Sequence, residues 1–121
     1  MSVNGFEEQT HELNEYEQNV IVPLMVKGLE NKIGKSQAIT NKKMIVGLKR
    51  MGHTVNGARV RKLIHHIRIT GMIECLIATS KGYYITNDKK EMDSYIESLI
   101  QRSESIMKIA NQMQFQYNNK F

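Results

Sequence analysis

The stretch Asn56-Gly57-Ala58-Arg59-Val60-Arg61-Lys62-Leu63-Ile64-His65-His66-Ile67-Arg68-Ile69-Thr70-Gly71 carries its own beginning, inner face and end. Asn56 is a residue type whose side chain accepts from the free amides of a helix start, and Gly71 is the type that ends a helix by turning left-handed. Between them Val60, Leu63, Ile64 and Ile67 recur at i, i+3, i+4 and i+7, the spacing of one apolar stripe on an α-helix. Nearly everything off the stripe is cationic or imidazole: Arg59, Arg61, Lys62, His65, His66 and Arg68. The stretch predicts an amphipathic helix over Gly57–Thr70 with a basic outer side.

Upstream, Thr40 or Asn41 can cap a helix over residues 42–51, stopped by Gly52, with Met44, Ile45, Leu48 and Met51 inward. Residues 53–55 form a short link to the basic helix, and residues 35–39 read as a connection. Further back, Asn14 as N-cap with Glu17 three residues on predicts a helix start, and Tyr16, Val20, Leu24, Met25 and Leu29 recur at helical spacing toward Ile33, with Gly34 as terminator. Pro23 lies inside that pattern, so a kink near Asn19 or a later start is expected. The polar, acidic residues 1–13 lack apolar periodicity and read as a frayed arm.

Downstream the pattern changes. Residues 72–79 are rich in Ile, Leu and Thr, Ser80-Lys81-Gly82 follows, and residues 83–86 complete a β-hairpin signal with Lys81 at or beside the tip. Cys75 is expected in the first strand as a small buried side chain. Tyr83 and Tyr84 should alternate, one packed beneath the hairpin and the other shielding the sheet or meeting a ligand. Asn87 or Asp88 then caps the longest helix, running to about Gln116 without Gly or Pro. In it Met92, Ile96, Leu99, Ser103, Ile106, Ala110, Met113 and Tyr117 alternate spacings of four and three, a heptad seam interrupted at Ser103.

These elements fit one ordinary domain in 121 residues, with a core of Ile, Leu, Val and Met because the chain has no Trp and only three Phe. A single Cys excludes an internal disulfide and a Cys-based zinc module, which fits a reducing compartment. The longest apolar run, residues 20–26, is far shorter than the roughly 18 residues of a membrane span, and the start lacks a signal-peptide pattern. A soluble cytoplasmic protein with no membrane partner is expected.

The net charge of +5 is unevenly spread. Residues 1–18 hold five Glu and no Lys or Arg, whereas residues 27–90 hold fourteen Lys and Arg against Glu30, Glu74 and Asp88, a balance of +11. Residues 91–121 come to −1. Positive charge concentrated in the folded middle suits a polyanion, most readily nucleic acid, although a basic face that simply meets solvent has the same composition.

The order helix, helix, basic helix, hairpin with a cationic tip resembles the winged helix-turn-helix domain over residues 15–87. The resemblance rests on residues 40–52 as supporting helix, residues 56–64 as the recognition helix and Thr79-Ser80-Lys81-Gly82-Tyr83-Tyr84-Ile85 as wing. The sequence is also similar to small DNA-binding proteins of bacteriophages and mobile elements, in which a basic helix leads into a GYY-containing wing and a long helix. One departure is the link over residues 52–56, which is not a standard three-residue turn. The fold class so implied is mainly α with a small β-hairpin wing, a winged helix-turn-helix over residues 14–87 followed by a long C-terminal helix over 88–121.

The resemblance implies a non-enzymatic protein that binds double-stranded DNA, a transcriptional regulator or a replication or maintenance factor of a phage or mobile element. On the helical wheel Ala58, Lys62, His65 and Ile69 point outward, with Arg61 and Arg68 on one flank and Arg59 and His66 on the other. Arg can pair bidentately with guanine, while Gly57 and Ala58 are small enough for the helix start to approach the phosphate backbone. Lys42, Lys43, Lys49 and Arg50 would add phosphate contacts from the second helix and Lys81 from the wing. The long seam, above all Leu99, Ser103, Ile106, Ala110 and Met113, would join a homodimer, with its first turns folding back on the first helix. The alternatives are packing of the whole seam along its own domain, or a winged-helix adaptor that docks another protein.

Other chemistry finds little support. His65 and His66 are adjacent and point about 100° apart on a helix, so they do not chelate one metal ion. No Cys-His pattern activates Cys75, no glycine-rich phosphate loop is present, and Asp88 and Asp93 are the only aspartates. No catalytic residue, metal or cofactor is expected.

Overall fold

In the computed structural model, which describes residues 13–121, the first helix begins where Asn14 and Glu17 exchange hydrogen bonds. The Glu17 amide donates to Asn14 Oδ1 (2.8 Å) and the Asn14 amide donates to Glu17 Oε1 (3.0 Å), a reciprocal capping box. Pro23 has no amide hydrogen to return to the preceding turn. That turn, Glu17–Ile21, is wound as a π-helix, with the Val22 amide reaching the Glu17 carbonyl, and α1 (Val22–Leu29) continues with Pro23 in its first turn.

Met25 and Leu29 are buried as their spacing predicts, but the rest of the inward face is Leu13, Glu17, Ile21 and Val22, whereas Tyr16 is exposed and Val20 and Leu24 are only half-buried. Leu13 is buried in the core at the start of the described chain; the remainder of the acidic arm, residues 1–12, lies outside the described residues.

The helix stops at Leu29 rather than Ile33, because from Lys32 onward the backbone is needed elsewhere. The Ile85 amide donates to the Lys32 carbonyl (2.7 Å) and the Gly34 amide to the Ile85 carbonyl (2.9 Å). After a single 3-10 turn at Lys35–Gln37, Ile39 and Tyr83 exchange both backbone bonds, at 3.0 and 2.8 Å. The segment that reads as a plain connection is thus an edge partner of the hairpin.

Thr40 caps α2 (Asn41–Arg50), accepting from the Lys43 amide at 3.2 Å. Met44 and Leu48 are buried and Ile45 half-buried, but Met51 falls beyond the last turn and is exposed. Asn56 caps α3 (Gly57–Thr70), accepting from the Arg59 amide at 2.8 Å. All four stripe residues, Val60, Leu63, Ile64 and Ile67, are buried. At its end Gly71 turns left-handed, its amide bonding to Arg68 O and the Met72 amide to Ile67 O, which satisfies two carbonyls that the helix leaves open.

The hairpin pairs β1 (Leu76–Thr79) with β2 (Gly82–Ile85), antiparallel, in the register Leu76 with Ile85 through Thr79 with Gly82. It is shorter than the apolar pattern because residues 72–75 form turns. Cys75 has φ 59° and is exposed, so it is neither in the strand nor buried. Both tyrosines are buried: Tyr84 completely, opposite Ile77, and Tyr83 at 9% exposure in the main core cluster, so neither remains on an open face. The protein is mainly helical with a two-stranded antiparallel hairpin and a long C-terminal helix.

The described chain divides after Asn87 into two units. The second is a single helix, α4 (Lys89–Lys120), capped by Asp88 Oδ1, which accepts from the Lys90 amide at 3.0 Å. Its 32 residues span roughly 48 Å at the α-helical rise. None of them is buried. No described helix is long and apolar enough to cross a membrane.

Candidate nucleic-acid interface

The first turns of α2 and α3 and the base of the hairpin tip are held together by one side chain. Asn41, the first residue of α2, accepts the Tyr83 hydroxyl on Oδ1 (2.6 Å) and directs Nδ2 to the carbonyl of Gly57, the first residue of α3, at 3.5 Å. Beside it, Gly82 lies so close to the Ile39–Thr40 peptide that a Cβ would sit 2.5 Å from Ile39 O. An open hollow of about 260 Å³ follows between the start of α2 and the hairpin, lined by Thr40, Asn41, Thr79, Ser80, Gly82 and Tyr83 among others.

Cationic side chains surround this junction. Lys42 and Lys43 are exposed on the first turn of α2, and Lys81 is exposed at the hairpin tip, its amide held by Thr79 Oγ1 at 3.1 Å. On α3, Ala58, Arg61, His65 and Ile69 are exposed, while Lys62, His66 and Arg68 are half-buried and Gly57 is partly covered. The most open line is therefore Ala58, Arg61, His65 and Ile69, turned slightly from the one drawn on the ideal wheel through Lys62. Lys49 and Arg50 are exposed in the last turn of α2, the opposite end of that helix from the junction.

Arg59 is engaged within the protein. Its guanidinium forms an ion pair with Glu17, whose side chain is 4% exposed against 40% for Arg59. One carboxylate thus closes the cap of the first helix and holds the first turn of α3. Glu17 and Asn41 are read from the sequence only as helix-start residues, without these partners. The capping-box spacing marks Glu17 as a helix-start residue only, and no local pattern signals that Asn41 reaches Tyr83 and Gly57. The exposed Tyr16 and the half-buried His53 are in contact through the hydroxyl and Nδ1, with ring centres 5.6 Å apart.

Nothing in this region resembles a metal centre: among the described residues no three His, Cys, Asp or Glu side chains are grouped to hold an ion. The seam residues of α4 form a separate surface. Leu99, Ser103, Ile106, Ala110 and Met113 are all exposed, Ile106 at 67%, and Ile100 and Met107 lie exposed beside them, which broadens the seam into a stripe. In comparisons with known proteins, no family model, curated protein or solved structure matches this chain.

Proposed function

We propose that residues 14–87 form a winged-helix domain that binds duplex DNA without catalysing a reaction, reading bases with α3 and touching phosphate with the hairpin. The observation that carries this reading is the junction at Asn41, which sets the start of a basic helix beside a cationic hairpin tip. The edge pairing of residues 32–39 with β2 supports it, because it gives the hairpin a firm base against the helices. Arg61 and His65 would face base edges, Lys42, Lys43 and Lys81 phosphates, and the open start of α3 at Gly57 and Ala58 the backbone.

The test is a titration of the intact protein against random duplex, single-stranded DNA and RNA at several salt concentrations. Duplex binding is expected at roughly micromolar affinity at moderate salt and should weaken steeply as salt rises, since several cations release counterions together. Arg61→Ala should cost about 1 to 3 kcal/mol and relax base preference, whereas Lys81→Ala should weaken all sequences alike and lower the salt slope by about one. No binding at low salt would leave the adaptor reading in its place.

The same proposal assigns the α4 stripe to a homodimer, which would present two recognition helices to an inverted repeat. A 32-residue helix with no buried residue and a stripe of exposed Ile, Leu and Met needs a covering surface, and a second copy offers the same stripe. Light scattering at tens of micromolar should find a dimer for the intact chain and a monomer for a chain ending at Ile100. A monomeric intact chain would reassign the stripe to a different protein.

A further inference from the structure

We infer that Asn41 is a positioning residue that couples the hairpin tip to the start of α3, so that the two contact a polyanion as one unit; the inference rests on the DNA-binding reading. Three elements distant in sequence meet at its side chain: β2 through the Tyr83 hydroxyl at 2.6 Å, α3 through the Gly57 carbonyl at 3.5 Å, and α2 through its own backbone. A two-stranded hairpin is marginal by itself. This one has backbone bonds to residues 32–39 along one edge, but those bonds end at Ile39 and do not reach α3. The link from hairpin to α3 at this junction runs through the Asn41 amide, whose oxygen accepts from Tyr83 and whose nitrogen donates to the outer lone pair of the Gly57 carbonyl.

The half-buried setting makes the choice of residue selective. Asn41 and Gly82 are half-buried and Tyr83 is buried, so a hydroxyl or amide left without its partner here is not readily satisfied by water. Asp at position 41 would still accept from Tyr83 but would have no hydrogen for Gly57, and Phe at position 83 would remove one oxygen from the hairpin side. The two substitutions therefore separate the two halves of the coupling. A loosened tip holds Lys81 over a broader set of positions, and a phosphate contact made from a broad ensemble contributes less.

The test uses the full chain in two arms. In the free protein, amide hydrogen exchange should accelerate about tenfold at residues 80–82 in Tyr83→Phe, as local opening becomes easier. In Asn41→Asp the acceleration should fall at residues 59–61, whose amides bond to Asn56 and Gly57 at the start of α3, and spare the tip. In the DNA arm, Lys81→Ala should lower the salt slope by about one in the wild-type background and leave it unchanged in the Tyr83→Phe background, because the contact is already lost there. Unchanged exchange at the tip in Tyr83→Phe, or an equal effect of Lys81→Ala in both backgrounds, overturns the inference. If the wild-type chain does not bind duplex, the DNA-binding reading fails, and the exchange arm alone decides the coupling.

Discussion

Gly82→Ala should destabilise the protein by about 3 to 5 kcal/mol, a large share of the stability of a domain this size. Two costs coincide at this position. The φ of +119° lies where an L side chain is strained, worth roughly 1 to 3 kcal/mol. The added methyl would also stand 2.5 Å from Ile39 O and 3.0 Å from Thr40 N, and both are backbone atoms of the edge segment that caps into α2, so they have little room to yield. Relief would require β2 to withdraw from residues 32–39, which would break the Ile39–Tyr83 bonds. Gly47→Ala is the contrasting case, since it lies inside α2 with open space around its Cβ position and should stabilise by up to about 1 kcal/mol. Urea unfolding followed by circular dichroism should move the two midpoints in opposite directions. A midpoint for Gly82→Ala within error of the parent would show that the hairpin is not seated against Ile39 as described.

Glu17→Ala should cost about 2 to 3 kcal/mol, the second-largest effect. The carboxylate accepts from the Asn14 amide at 3.0 Å and pairs with Arg59, so its removal opens the first helix cap and leaves the Arg59 guanidinium against a surface shaped for an anion. Arg59 is two-fifths exposed, and solvent screening therefore keeps the ion-pair part below that of a fully buried pair. Arg59→Ala should be of similar size because it strands a buried carboxylate. The double variant Glu17→Ala/Arg59→Ala should cost clearly less than the two singles together, since it leaves neither charge unpaired. Additive losses in that cycle would mean that the two side chains act separately. The same series bears on function: if Arg59 serves the protein interior, the double variant keeps the salt slope of DNA binding, while Lys81→Ala lowers it.

What was legible in the residues alone was whatever is encoded within three or four positions. The boundaries of α3, its cap at Asn56 and its stop at Gly71 each depend on a residue type next to the helix end, and the four-residue stripe fixes which side turns inward. The Asn14–Glu17 box and the hairpin turn at Ser80-Lys81 are local in the same way. The long terminal helix was legible because nothing in residues 89–120 interrupts it.

Tertiary structure alone decided the rest, and the reason differs from element to element. Residues 32–39 join the hairpin through backbone atoms, which every residue possesses, so their side chains carry no mark of it. On the first helix Met25 and Leu29 turn inward as their spacing suggests, but whether Tyr16 and Val20 or Glu17 and Ile21 join them is selected only by packing against the rest of the core. Cys75 lies in an apolar stretch that reads as strand, yet it is the last residue of the turn leading into β1 and sits in the left-handed region. Arg59 resembles its basic neighbours in composition, and its commitment to Glu17 is set by a contact 42 residues away in the chain, as is the bond from Tyr83 to Asn41. Local periodicity specifies which segments are helices and which faces are apolar. The partners of individual polar groups follow only when those faces have closed on one another, because burial is what makes an unpartnered carboxylate or hydroxyl costly enough to select its mate.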